Sequence, residues 1–545
     1  MGLPGSGKTA VGRRLASRHG ATFVDLDERI EHGQGRTIRE IFAQDGEAGF
    51  RRLEREAVLA LGAPDPEPRI RRVISPGGGS VVDPRNRWLL FHGRLPVWLD
   101  VRPEVLAQRL RRSPTVRPLV QGGDPLGRIR QLAAARERFY ASAARVNGLT
   151  EIATVVSAVD RIALEAGPPA VTTLLRATTS IGEIVLGDGI AAEAVGAALR
   201  RLGARRAVIV SEPGAWAAVG EDLADALRAA EWPVEIVLLP GGEEAKRLAV
   251  VEESARALAR LRVERGEPLI AVGGGALGDP AGFLAATYLR GIPWIGVPTT
   301  LVAQVDSSIG GKTGVDLPEG KNLVGAFHHP VSVVIDVAAL RPLPERQLRA
   351  ALGEVVKMAA LGDEALFATL EESGGAVATG DPRAFADGII AEVVERAAWG
   401  KVAVVTADER EQAGTSGRIR LNLGHTIGHA LEAADGYSTL LHGEAVAYGL
   451  RAATRIGTEL GVTPPERAAR IEALLTSLRL GVAPLPYPLD VVLDATGTDK
   501  KHSGGRLRWV LPTGDGVVVR DDVPAGVVRD AVAAVLAGTG AGSPA

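Results

Sequence analysis

Three short stretches of this chain carry residue types at spacings that can do chemistry. The first, Gly2-Leu3-Pro4-Gly5-Ser6-Gly7-Lys8-Thr9, satisfies G-x-x-x-x-G-K-[ST]. Backbone N–H groups of such a loop, here around Gly5, Ser6 and Gly7, surround phosphate oxygens at a helix N-terminus. Lys8 would reach the terminal phosphates of a nucleotide, and the Thr9 hydroxyl would hold Mg²⁺. The second is a histidine group: His425 and His429 are spaced i, i+4 on one helical face, and His442 opens a further helical run. With Glu354, in the helical segment Gly353-Glu354-Val355-Val356-Lys357, they supply the nitrogen and oxygen donors of a catalytic Zn²⁺ site that keeps one position open. The chain has no cysteine, so any metal must rest on His, Asp or Glu, and disulfides and thiol nucleophiles are excluded. The third is Gly273-Gly274-Gly275-Ala276-Leu277-Gly278-Asp279, a G-x-G-x-x-G after the apolar run Leu269–Val272, the setting for pyrophosphate binding. Some twenty residues on, Pro298-Thr299-Thr300 stands where an acidic residue would hold a ribose, so an ordinary dinucleotide domain is not expected.

Lysine usage adds a fourth signal. Of 63 basic residues only eight are lysine, namely Lys8, Lys246, Lys312, Lys321, Lys357, Lys401, Lys500 and Lys501. Arginine serves almost everywhere that a general positive charge suffices. The remaining lysines are read as positions where a compact ammonium is needed and a planar fork does not fit.

These residues need elements to hold them. At 545 residues the chain is long enough for several domains, and 46% hydrophobic with 23% charged residues is a globular composition. No stretch reaches the roughly 18 apolar residues of a membrane helix, and the first thirty residues hold no secretory apolar core. A cytoplasmic protein is expected. The net charge of −2 conceals +8 over residues 1–165 and −10 over the remainder, as in two units of separate origin. The arginines of the basic part are scattered without interleaved aromatics, which points to an anionic small molecule rather than nucleic acid.

Residues 1–165 alternate helical patterns (9–19, 37–43, 47–61, 103–112, 125–146) with strand patterns (72–75, 96–100), giving an α/β domain. Residues 166–174, with Pro168 and Pro169, form a linker. Residues 175–343 make a second α/β domain with strands predicted at 206–211, 234–239, 269–273, 292–297 and 331–335. Residues 344–540 are mainly helical apart from an apolar segment at 507–511. One feature breaks the pattern. A phosphate loop normally hangs from the C-terminal end of a buried strand, yet this loop begins at residue 2. The expectation is that either the start codon is assigned too late or the first domain lacks its central strand, and that phosphoryl transfer by the chain as written is weak.

Further motifs make residues 2–150 resemble shikimate kinase. Asp25-Leu26-Asp27 is similar to that family's D-x-D, and Gly49-Phe50-Arg51-Arg52-Leu53-Glu54 to its F-R-x-x-E segment. Gly77-Gly78-Gly79 is similar to its glycine strand end, Val116-Arg117-Pro118-Leu119 to its lid, and Arg136, four residues before Tyr140, to a carboxylate-binding arginine. The resemblance implies ATP with Mg²⁺ held by Thr9 and Asp25, and Asp27 as the base on the substrate hydroxyls. It implies that Arg51 and Arg136 grip the shikimate carboxylate, that Gly77, Gly78 and Gly79 let the ring approach, and that Arg117 reaches over the nucleotide.

Residues 175–520 resemble 3-dehydroquinate synthase. The likeness is carried by Gly241-Gly242-Glu243-Glu244-Ala245-Lys246, Gly273 to Asp279, Pro298-Thr299-Thr300, Val305-Asp306-Ser307-Ser308-Ile309-Gly310-Gly311-Lys312, Gly320-Lys321-Asn322, Gly353 to Lys357, Asp408-Glu409-Arg410-Glu411 and Asn422 to His429. It implies a Rossmann-like NAD-binding α/β domain and a helical metal and substrate domain behind the P-loop kinase domain. Glu354, His425 and His442 would hold Zn²⁺ or Co²⁺, with His429 as a proton-handling group. Gly241, Gly242, Glu243, Lys246, Gly275, Gly278, Asp279, Thr299, Thr300, Lys312 and Lys321 would contact NAD⁺ or line its pocket. Lys312, Asn322, Asn422 and one of Lys500 and Lys501 would hold the phosphate end of the substrate, with Arg290 reaching the neighbouring site in a homodimer formed through the synthase part. Lys401 and Arg418 would bind the carboxylate, and Asp306, Lys357 and Glu411 the polar carbons. Relative to the family spacing, Ala413-Gly414-Thr415-Ser416-Gly417 adds residues between Glu411 and Arg418.

The implied reactions are cyclisation of 3-deoxy-D-arabino-heptulosonate 7-phosphate to 3-dehydroquinate with phosphate release, and ATP-dependent 3-phosphorylation of shikimate. The alternative reading is a metal-dependent polyol dehydrogenase with a non-catalytic nucleotide-binding N-terminal domain. That enzyme would not need the cluster of Lys312, Asn322, Asn422 and Lys500 or Lys501.

Overall fold

A computed structural model describes residues 1–64, 70–112, 124–166, 171–502 and 507–538. It divides into two compact units, Met1–Thr178 with Ile184–Ile190, and Thr179–Glu183 with Ala191–Ala545. Among the described residues no helix is long and apolar enough to cross a membrane.

The first unit contains β1 (Thr22–Asp25), β2 (Arg72–Ser75), β3 (Val97–Asp100) and β4 (Ala144–Asn147). They form two separate parallel pairs, β1 with β2 and β3 with β4. No described strand lies between β2 and β3. A cavity of about 280 Å³ occupies that place, lined in part by residues 70–76 and by Pro96, Val97 and Leu99. Helices Lys8–His19 and Ile152–Ala166 supply Val11, Leu15, Val155, Val156 and Val159 to the apolar core beside Leu99 and Val146.

Two expected helices differ. The segment predicted at 125–146 stops at Tyr140, because Ala144–Asn147 is drawn into the parallel ladder with β3 and buries Val146. The helices predicted at 37–43 and 47–61 run together as Ile38–Leu59, bent at Gly46 (φ 69°, ψ −175°) and started by a Thr37–Glu40 capping box.

Strands β5 (Thr172–Thr179) and β6 (Gly182–Asp188) follow. The second unit is built on β7 (Ala207–Ser211), β8 (Val234–Leu238), β9 (Leu269–Gly273), β10 (Trp294–Pro298) and, after an antiparallel hairpin of β11 (Lys312–Leu317) and β12 (Gly320–Phe327), β13 (Ser332–Asp336). These strands lie in the order β13-β10-β9-β7-β8, all parallel. Every residue of β7, β9, β10 and β13 is buried, which is why they read as unbroken apolar runs. The β11–β12 hairpin has no such run. It is interrupted by Gly314, Gly320 and Gly325 and was not legible as strand.

The remainder of this unit is mainly helical. Helices Glu345–Ala360, Ile389–Ala407, His425–Ala434, His442–Glu459 and Leu489–His502 carry most of the predicted substrate and metal residues. The late apolar segment forms a strand, Trp509–Pro512, paired with Val517–Arg520.

Candidate active sites

Three helices converge on the histidine group, and glycine lets them do so. A Cβ at Gly353 would lie 2.1 Å from Gly443 O, and one at Gly449 would lie 1.8 Å from Gly424 O. Helix Glu345–Ala360 thus meets helix His442–Glu459 backbone to backbone, and the latter meets the turn into His425–Ala434. Glu354 is fully buried, with Oε1 3.3 Å from His425 Nε2 and 3.2 Å from His442 Nε2. Donors about 2.0–2.1 Å from one tetrahedral ion stand about 3.3–3.4 Å apart, so this oxygen and these two nitrogens fit a shared divalent metal. The electrostatics agree. His425 is pushed down to about 3, burial being the main cause. Burial also opposes charge on His442, yet the carboxylates of Glu354 and Glu432 outweigh it and raise His442 to about 10. The group therefore draws positive charge to one point. His429, exposed on the same helix as His425, has its ring centroid 5.3 Å from that of His425.

Beside Glu354 lies a second buried set. Lys357 pairs with Glu354 and lies 3.6 Å from Asp306, while Lys401 donates to Asp306 Oδ1 at 2.6 Å and to its carbonyl at 2.7 Å. Burial raises Asp306, but Lys401 and Lys357 prevail and hold it down at about 2. Burial pushes Lys401 down. Arg418 donates to Gly310 O at 3.0 Å and Glu409 O at 3.1 Å. The added residues after Glu411 fold onto Asp408, whose carboxylate accepts from the N–H of Gln412, Ala413 and Arg418. Glu411 is thereby kept within reach of Lys312, which donates to it at 2.7 Å.

The glycine pattern sits at the carboxyl end of β9, where helix Gly275–Thr287 begins. Gly273, Gly274, Gly278, Asp279, Ser307 and Lys312 border a narrow cleft there. A Cβ at Gly275 would strike Ser307 Oγ at 2.8 Å, whereas one at Gly278 would meet open space. Thr299 N donates to Gly273 O at 3.1 Å, and Thr300 Oγ1 accepts from Ala303 N at 3.2 Å. Lys246 donates to Asp279 at 2.7 Å and to Asn322 Oδ1 at 3.3 Å, and Lys321 donates to Glu243 at 3.2 Å. Gly241 and Gly242 open the short turn Gly242–Lys246 that delivers Glu243 and Lys246. Arg290 ends the turn after helix Gly275–Thr287, and Asn422 is exposed at the end of the turn Arg418–Asn422. Arg290, Asn322 and Glu411 all have positive φ (67°, 55° and 58°), a conformation costly for residues with a Cβ. Lys500 and Lys501 lie in the backbone of helix Leu489–His502, but their side chains are outside the described residues.

In the first unit Gly5 and Gly7 have φ of 83° and 93°, the conformation a phosphate loop needs. Lys8 donates to Gly2 O and Leu3 O at 3.0 and 3.3 Å, and Ser6 is buried beneath the loop. Thr9 Oγ1 donates to Asp25 Oδ2 at 2.8 Å, which joins the two predicted magnesium residues. A Cβ at Gly77 would strike Asp27 Oδ1 at 2.6 Å, and one at Gly79 would strike Arg51 at 2.5 Å. Arg136 donates to Gly78 O at 2.6 Å. Asp27, Arg51, Arg136 and the three glycines thus converge. Arg117 lies outside the described residues.

Family models agree with this division: shikimate kinase matches residues 4–165, 3-dehydroquinate synthase N-terminal matches 236–350, and 3-dehydroquinate synthase C-terminal matches 351–502. A 3-dehydroquinate synthase of Synechococcus sp. (strain CC9605) is 43% identical over 368 residues, covering 67% of this chain and 94% of that protein. The chain belongs to the 3-dehydroquinate synthase family. A 3-dehydroquinate synthase of Caulobacter vibrioides is 40% identical over 66% of this chain and 96% of its own length. Among solved structures, ValA (2-epi-5-epi-valiolone synthase) from Streptomyces hygroscopicus subsp. jinggangensis, with NAD⁺ and Zn²⁺ bound, is 29% identical. It covers 65% of this chain and 96% of its own, with a TM-score of 0.60. A 2-deoxy-scyllo-inosose synthase complexed with carbaglucose-6-phosphate, NAD⁺ and Co²⁺ is 25% identical, covering 67% and 99%, with a TM-score of 0.59. The synthase region is thus preceded by a shikimate kinase domain, and the chain is a bifunctional enzyme of the shikimate pathway.

Sequence reasoning missed two carboxylates. Glu432 accepts from His442 Nδ1 at 3.1 Å and so fixes which ring nitrogen of this synthase residue faces Glu354. Its signal was its position, three residues after His429 on the same helix. Glu54, buried in the kinase domain, binds Arg51 at 2.8 Å and Ser80 at 2.6 Å. It stood inside the quoted kinase motif without a role.

Proposed function

We propose that the synthase region converts 3-deoxy-D-arabino-heptulosonate 7-phosphate to 3-dehydroquinate and free phosphate, and that the kinase domain transfers the terminal phosphate of ATP to the 3-hydroxyl of shikimate. The observation that carries the first part is the donor group of Glu354, His425 and His442 beside the buried pairing of Asp306 with Lys357 and Lys401. Bound at these residues and at the cleft after β9, a divalent metal would supply polarisation of the C4 and C5 hydroxyls and NAD⁺ a reversible oxidation of C5 to a ketone, which acidifies the adjacent C–H so that phosphate can leave.

The chain's own residues do the rest. Gly241, Gly242, Glu243, Lys246, Gly275, Gly278, Asp279, Thr299, Thr300 and Lys321 hold the dinucleotide. Lys312, Asn322, Asn422 and one of Lys500 and Lys501 hold the phosphate end, and Arg290 serves the neighbouring subunit in a homodimer. Lys401 and Arg418 orient the carboxylate. Asp306, Lys357 and Glu411 position the hydroxyl-bearing carbons, and His429 moves a proton at the substrate's edge. In the kinase domain Asp27 accepts the proton of the attacking hydroxyl, Arg51 and Arg136 fix the carboxylate, and Lys8, Thr9, Asp25 and Arg117 serve the nucleotide and its Mg²⁺. Both substrates are small soluble anions, which suits a cytoplasmic enzyme.

The test is a pair of assays on the full chain. Phosphate release from the heptulosonate phosphate should occur without net NADH, stop after dialysis against chelator and return with zinc. ATP-dependent phosphorylation of shikimate should survive a chelator selective for zinc. Net NADH formed from a polyol without phosphate release would overturn the reading.

A further inference from the structure

We propose that residues 435–441, the loop leading into His442, tie the metal site to the dinucleotide cleft, with Tyr437 as the positioning residue that holds Lys321. This rests on the roles proposed above for His442 and Lys321, and it gives a part in them to Tyr437, which lies in none of the motifs.

The loop is pinned along its second half. The Asp435 carboxylate accepts from the N–H groups of Ser438, Thr439 and Leu440 at 2.9, 2.6 and 2.9 Å, and from the Tyr487 hydroxyl at 2.7 Å. Arg346 donates to Thr439 O at 2.6 Å and to Glu444, in the first turn of helix His442–Glu459, at 2.9 Å. The first half closes helix His425–Ala434: Gly436 takes a φ of 63°, and Tyr437 N donates to Glu432 O at 2.9 Å. Glu432 therefore meets the loop twice, its carbonyl taking Tyr437 N and its carboxylate taking His442 Nδ1. Between these anchors Tyr437 has a φ of 58°, a left-handed conformation disfavoured for a bulky residue.

That conformation delivers an aromatic face. The Lys321 ammonium lies 4.3 Å from the centroid of the Tyr437 ring and donates to Glu243 at 3.2 Å. Lys321 stands on β12 and Glu243 on the turn Gly242–Lys246, both in the α/β part of the second unit, whereas Tyr437 comes from its helical part. The ring is 44% exposed, so burial of apolar surface does not account for its placement. A lysine side chain is rich in rotamers, and ordering it beforehand leaves less freedom to lose when a dinucleotide binds. The positive φ gives the loop two states. A metal on His442 holds the turn from Glu432 to His442 and keeps the ring over Lys321. Release of His442 frees Tyr437 to relax to a negative φ and withdraw the ring. Metal thus tightens NAD⁺, and by linkage NAD⁺ tightens metal by the same factor.

The experiment measures NAD⁺ binding to the full chain by calorimetry, zinc-loaded and after dialysis against chelator. Zinc should tighten NAD⁺ about two- to fivefold in the wild type, the worth of one cation–π contact at a partly exposed site. Tyr437→Phe keeps the ring face and should keep that factor. Tyr437→Leu removes the face, Lys321→Met removes the cation, and each should bring the factor to about one. In the reciprocal titration NAD⁺ should tighten zinc by the same factor in the wild type and in Tyr437→Phe. Should Tyr437→Leu fail to bind zinc, Lys321→Met, whose loop is untouched, decides the case. No effect of zinc on NAD⁺ in the wild type, or an undiminished effect in Lys321→Met or a zinc-binding Tyr437→Leu, would overturn the proposal and leave the roles above standing. NAD⁺ that binds none of these proteins, loaded or not, would overturn those roles and the proposal together.

Discussion

The chain holds two nucleotide loops in unequal frames. Gly273–Gly278 follows β9, a strand buried along its length and bonded on both sides, to β7 and to β10. Gly2–Thr9 follows a single strand-like residue at the rim of a cavity of about 280 Å³. Both loops carry their full set of motif residues. They differ in what aims them. That cavity, lined by Lys8, Arg71, Arg72 and Arg94 as well as by apolar groups, leaves β2 and β3 without the flanking strands that β7 and β10 give β9. The kinase unit should therefore open before the synthase unit, and its activity should be limited by the frame and not by its chemistry. In the synthase unit, where the frame is closed, single side chains should dominate.

That contrast is tested most strongly at the metal. His442→Ala removes one of three donors from a rigid site and should lower phosphate release at least a thousandfold, together with metal content. Shikimate phosphorylation should be unaffected. Comparable loss of both activities would show that the damage spreads through the fold rather than the chemistry.

Lys312→Arg tests the synthase cleft at constant charge. Lys312 lies at the cleft after β9 and reaches Glu411 at 2.7 Å. A planar fork needs more width than an ammonium, so kcat/KM for phosphate release should fall about a hundredfold. Wild-type turnover would mean that the scarcity of lysine in this chain carries no functional information.

Glu432→Gln should act more gently. It keeps size and a hydrogen-bonding oxygen at His442 Nδ1 but removes a charge, so metal affinity measured by competition with a chelator should drop about tenfold. An unchanged metal affinity would reduce Glu432 to a packing role.

Legibility in the sequence follows the same contrast. The buried strands β7, β9, β10 and β13 were readable because unbroken apolar runs depend on local order. The i, i+4 pair His425 and His429 is local too, whereas joining His425 to the distant Glu354 and His442 as one ligand set came from the family resemblance. The short strands β1 and β4, with one buried residue each, and the glycine-broken β11–β12 hairpin were not readable, since tertiary pairing creates them. Glu432 and Glu54 were missed for a related reason. A carboxylate acquires its role from the group it meets, and spacing alone does not name that group. The positive φ of Arg290, Asn322 and Glu411 has no local sequence signal either.

The smallest effect concerns pH and returns to the open frame. The Met1 amino group is pushed from its ordinary value near 8 down to about 5, chiefly by burial and further by Lys8. Between those values the unfolded chain binds the proton that the folded kinase unit refuses. Stability of that unit should therefore rise with pH from about 5 to 8 and level off above 8. The full linkage would be about 4 kcal/mol for three pKa units. A terminal residue has an escape, however: it can leave the cavity between β2 and β3 once its protonation costs more than its two hydrogen bonds, to Val97 O and from Leu99 N, about 1–3 kcal/mol together. The fall on acidification should stop there, a few degrees in the first melting transition, while the synthase transition lacks this contribution. Acetylating the amino group should remove the slope between pH 5 and 8. A slope that persists in the acetylated chain would place its origin in other titrating groups and leave Met1 a bystander.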